Sequence, residues 1–126
     1  YEFRAADGSA NIYLLLAGLC VGTRHGLEMD NGLDLSNKLY INVNIFKDEH
    51  KDRLAELEHL PASCYESAQA LKEKKEIFMK YDVFTEGMIE GIVSNLENYN
   101  DYQLSERLYG NNGEIRKLVD QYIHIG

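Results

Sequence analysis

The longest apolar run in the chain, Ile12 to Gly22, most constrains how it can fold. Leu14, Leu15, Leu16, Leu19 and Val21 make this run apolar nearly all round. A helix of that kind is predicted to be central and buried. Glycines interrupt the run, and it is too short to cross a bilayer. Either Ser9 or Asn11 can cap its start, because a short polar side chain accepts bonds from free helix N–H groups. Gly26 is a plausible stop, so the helix is expected over about 11–26.

The remaining pattern is also mostly helical. Leu39, Ile41, Val43 and Ile45 alternate with Tyr40, Asn42 and Asn44, which marks 39–45 as a strand candidate. A short charged helix is expected over about 48–58, with Leu54 and Leu57 inward. The clearest local signal is Leu60-Pro61-Ala62-Ser63-Cys64-Tyr65-Glu66. Its Ser63 and Glu66 form an S-x-x-E capping box, opening a helix expected over about 64–80. Ala68, Leu71, Phe78 and Tyr81 give that helix its apolar side, and Lys72, Lys74, Lys75 and Glu76 its solvated one. Thr85 can cap a further helix to about 98, with Met88, Ile89, Ile92, Val93 and Leu96 at helical spacing. Leu104, Leu108 and Tyr109 mark a short helix before Gly110. A last helix, about 113–124, carries Ile115, Leu118, Val119, Tyr122 and Ile123 on one face and is expected to dock on something.

The expected fold class is therefore mainly α: a compact helical subdomain of about five to six helices, with a short N-terminal strand and a second strand candidate near 39–45. A length of 126 residues fits a single domain, 1–126. Acidic residues outnumber basic ones, 21 against 13, for a net charge of −8. Nucleic-acid binding needs a basic footprint that this chain lacks, and anionic membrane surfaces are disfavoured in the same way. Cys20 and Cys64 are too few for a disulfide scaffold and read as free, mostly buried thiols in a reducing, cytoplasmic setting. No secretory leader is recognised. The chain opens on Tyr1 instead of Met, which suggests an excised or processed piece of a longer protein.

Phosphate-loop, dinucleotide, zinc-protease and serine-hydrolase signatures are absent. His25, His50, His59 and His124 are scattered and read as surface or helix-end residues. The first residues are different in kind. Tyr1, Glu2, Phe3 and Arg4 alternate with the period of a strand, which places Glu2 and Arg4 on one face and Tyr1 and Phe3 on the other. A carboxylate is a hard ligand suited to magnesium or manganese, and a guanidinium one pleat away can clamp a carboxylate or phosphate. On spacing alone, an exposed E-x-R pair reads as a surface ion pair. Asp7-Gly8-Ser9 follows as a turn.

Residues 2–14 resemble the E-x-R-x-x-D-x-x-A-N-P-Y-L segment of glutamine synthetases, which lies late in that family's catalytic domain. In order, Leu60 to Ala68 resembles the L-P-x-S-L-x-E-A segment. Val83-Phe84-Thr85 is similar to the piece before the family's last long helix, and Tyr102 to Tyr109 is similar to W-E-x-x-R-Y-L, with Tyr102 for the Trp and Arg107 for the Arg. The resemblance implies a parent enzyme that joins ammonia to glutamate with ATP through γ-glutamyl phosphate. It implies Mg2+ or Mn2+ and ATP in the intact enzyme, with none bound to these residues alone, and a homo-oligomeric ring. Glu2 matches the family's late metal-binding carboxylate, and Arg4 matches the catalytic Arg that contacts glutamate and the transferred phosphoryl group. Other metal ligands and the nucleotide contacts would come from upstream segments and a neighbouring subunit. The chain is thus expected to be the C-terminal helical part of the catalytic domain, inactive alone.

Three departures bear on subtype. Ile12 stands where the family has Pro, residues 27–47 are differently patterned, and 113–124 extends past the matching region. Relatives that join glutamate to polyamines share much of this pattern, so the acceptor amine stays open. A rival reading is a non-enzymatic helical module that uses the last amphipathic helix to bind a partner.

Overall fold

The computed structural model describes residues 3, 6, 8, 10–44, 47, 52, 55 and 57–123. Among them are seven helices: α1 (Ile12–Glu28), α2 (Gly32–Leu39), α3 (Cys64–Glu73), α4 (Lys75–Met79), α5 (Glu86–Asn98), α6 (Leu104–Leu108) and α7 (Asn112–Tyr122). The fold is mainly α, and none of the described helices is long and apolar enough to cross a membrane.

Local capping chemistry sets most helix starts. Asn11 caps α1, its Oδ1 accepting from the N–H groups of Tyr13 at 3.1 Å and Leu14 at 3.2 Å. Ser63 Oγ accepts from Glu66 N–H at 3.0 Å. The Glu66 carboxylate reaches back to the Ala62 N–H at 2.7 Å, one residue earlier than the reciprocal bond of the usual capping box. Thr85 Oγ1 caps α5 through Met88 N–H at 3.3 Å. Asn111 caps α7 through Glu114 N–H at 3.3 Å, so this helix opens slightly before the predicted start.

The core forms where α3 crosses α5, with α1 and α4 closing one side. Val21, Ala68, Phe84, Ile89 and Val93 are buried, and Leu14, Ala17, Leu71, Ile77 and Phe78 pack around them. Ala68 is completely enclosed, and its small side chain lets the two helix backbones approach closely. Phe78 and Phe84 meet edge to face at 5.7 Å. Burying a side chain of the Val or Ile class stabilises by about 1.5–3 kcal/mol. These few positions therefore supply much of the local cohesion.

Several expectations change. The strand candidate near 39–45 is not a strand over its described part. Leu39 closes α2, and Ile41 to Asn44 are irregular; Ile45 lies outside the described residues. Alternation specifies a strand only when a neighbouring strand takes up its backbone bonds, and the described residues contain none. The single helix over 64–80 is two, broken at Lys74 (φ −103°, ψ 10°). The break falls in the charged run Lys72 to Lys75, and beyond it Ile77 and Phe78 pack against the core.

Helix α1 is not central. Val21 is its buried residue, while Ile12, Leu16 and above all Tyr13, 82% exposed, face outward. Cys20 shares this exposure, so only Cys64 of the two free thiols is even partly buried. The predicted strand at 1–5 and most of the helix at 48–58 lie outside the described residues.

The corner between α1 and α2 depends on Gly32. A Cβ built there would stand 2.5 Å from the Gly26 carbonyl oxygen, a backbone atom that cannot swing aside. Gly32→Ala is expected to cost about 1–3 kcal/mol through this overpacking. Gly91, inside α5, has open space where its Cβ would go, so Gly91→Ala should instead add roughly 0.5–1 kcal/mol of helix stability. Urea midpoints of the two variants should move in opposite directions.

Candidate functional site

Glu2 and Arg4, the predicted metal ligand and substrate clamp, lie outside the described residues, as do His50 and His124. His25 sits in the last turn of α1, where a cation suits the helix C-terminus, and His59 is exposed. Among the described residues, no group of three or more His, Cys, Asp or Glu side chains is arranged to hold a metal ion.

The structure does describe how the other family-like segments meet. The stretch 60–68 opens α3, and the stretch 102–109 forms α6 and its flanks. Asp101 joins them. Its Oδ2 accepts from Cys64 N–H at 2.6 Å and its Oδ1 from Tyr65 N–H at 3.0 Å, across 37 and 36 residues of sequence. The two amides belong to the first turn of α3, whose free N–H groups and positive dipole end favour an anion. Burial penalises the Asp101 carboxylate, but the N–H bonds from Cys64 and Tyr65 outweigh it and hold the group below its ordinary pKa. Burial also pushes the Cys64 thiol up, and the neighbouring Asp101 adds to that effect. The rings of Tyr65 and Tyr102 lie 5.3 Å apart beside this junction. A polar cavity of about 330 Å³ opens against it, lined by Ser63, Glu66, Asp101, Gln103 and Glu106 among others.

The other matched residues have structural roles. Phe84 is in the core and Thr85 caps α5. The Arg107 guanidinium donates to the Asn100 carbonyl and closes the loop in which Asn100 and Gln103 take left-handed backbone angles (φ 49° each). Glu97 ties α5 to α3 by accepting from Gln69 Nε2 at 2.7 Å and from Lys72. Lys72, then Gln69, lowers its pKa.

A second polar cluster joins the end of α1 to the end of α4. The Glu28 carboxylate accepts from Tyr81 OH at 2.6 Å, Arg24 Nε at 2.8 Å and Lys80 Nζ at 3.1 Å. Arg24 also lies over the Tyr81 ring, 4.1 Å from its centre. These bonds, that from Tyr81 foremost, lower the Glu28 pKa from 4.5 to about 2. A carboxylate depressed on folding stabilises above its unfolded pKa and loses that contribution as pH falls through the folded value. Glu28→Gln should therefore lower the melting temperature at pH 7, and the gap from wild type should shrink below pH 4.5 and close near pH 2. A gap independent of pH would show that Glu28 acts by shape alone.

Neither Asp101 nor Glu28 stood out in the sequence. The partners of Asp101 are too distant in sequence to be found by spacing.

The family model that matches most of the chain places it in a ligase family. Residues 1–107 match the family model for the catalytic domain of glutamine synthetase, and the chain belongs to that family. No curated protein and no solved structure matches it. Helix α7 lies beyond the matched region.

Proposed function

We propose that this chain is the C-terminal helical part of the catalytic domain of an ATP-dependent ligase that joins ammonia to the side-chain carboxylate of glutamate. The match over residues 1–107 carries this reading, because that span includes both Glu2 and Arg4. Glu2 would hold a divalent metal through its carboxylate. Arg4 holds the glutamate and the phosphoryl group in transfer through its planar fork.

One carboxylate is a fitting donor for Mg2+ or Mn2+, but not a complete set. The remaining ligands and the nucleotide contacts belong to other segments of the intact enzyme, which we read as a homo-oligomeric cytoplasmic ring. When bound, the metal and ATP would supply the reactive phosphoryl group and offset its charge. Within that site Arg4 orients the glutamate carboxylate and neutralises charge as it develops on the phosphoryl oxygens.

The purified chain of 126 residues is expected to release no phosphate from ATP and glutamate above an Arg4→Ala control. Release above that control would contradict its role as one part of a shared site. Ile12 in place of the family's Pro and the distinct 27–47 region favour testing a second acceptor. In the intact enzyme, ammonia should support phosphate release and putrescine should not. The reverse result would assign a polyamine ligase of the same family.

A further inference from the structure

We draw no further inference here: the strongest candidate, the apolar groove between α6 and α7 lined by Leu104, Leu108, Tyr109, Ile115 and Leu118, is an unpartnered face, and nothing in the structure shows what covers it.

Discussion

Arg4→Ala in the intact ligase is expected to lower kcat/KM for glutamate-dependent phosphate release by about 10²–10³-fold, the scale seen when one preorganised donor is removed from a charge-stabilising site. The proposed role explains why the effect should be large. Phosphoryl transfer involves little covalent work by the protein and depends on positioning and on neutralising oxygen charge. Arg4→Lys should restore only part of the loss, because an ammonium keeps the charge and loses the two-pronged geometry. Glu2→Gln should act differently, raising the Mg2+ or Mn2+ concentration needed for half-maximal rate more than it lowers the rate at saturating metal. An Arg4→Ala rate within twofold of wild type would return Glu2 and Arg4 to the status of a surface ion pair.

The largest stability effect is expected at Asp101. Asp101→Ala removes both acceptors at the start of α3, from Cys64 and Tyr65 N–H, and with them the link between that helix and the α5–α6 loop. A cap substitution alone costs about 1 kcal/mol, and bonds to a charged acceptor are worth more than neutral ones. The combined loss should be about 2–3 kcal/mol in urea unfolding. Asp101→Asn keeps one acceptor oxygen and should lose about half as much. Separation of the Tyr65 and Tyr102 rings would accompany the change and should appear in near-ultraviolet circular dichroism. A loss under about 0.5 kcal/mol would mean that water replaces the carboxylate at little cost.

These two residues also show what could be read from the chain. Asn11, Ser63 with Glu66, and Thr85 were legible as caps because each acts within a few residues of itself. The stripe Ile89, Val93 and Leu96 was legible because helical spacing alone puts these residues on one face, and the first two are buried. Asp101 was not, since its role arises only when segments 37 residues apart meet. The Glu28 cluster was hidden for the same reason, with Tyr81 lying 53 residues away.

Composition misled at α1. A strongly apolar helix was expected to be enclosed, but Tyr13 and Leu16 face outward while Val21 faces in. Alternation misled at 39–45, where no neighbouring strand among the described residues is present to take up the backbone bonds. The breadth of the family match, residues 1–107, agrees with segments recognised in order from residue 2 to residue 109. Glu2 and Arg4 took on meaning only through that resemblance, because two charges one pleat apart have no chemistry of their own that distinguishes them from an ion pair.

The most direct test of the proposed reaction is to measure products with the intact enzyme, ATP, glutamate, ammonia and Mg2+ together, and with each omitted in turn. Glutamine and phosphate are predicted to form in equal amounts only when all are present, and Arg4→Ala is predicted to depress both together. Phosphate release that is independent of glutamate, or product formation unchanged by Arg4→Ala, would contradict the assignment.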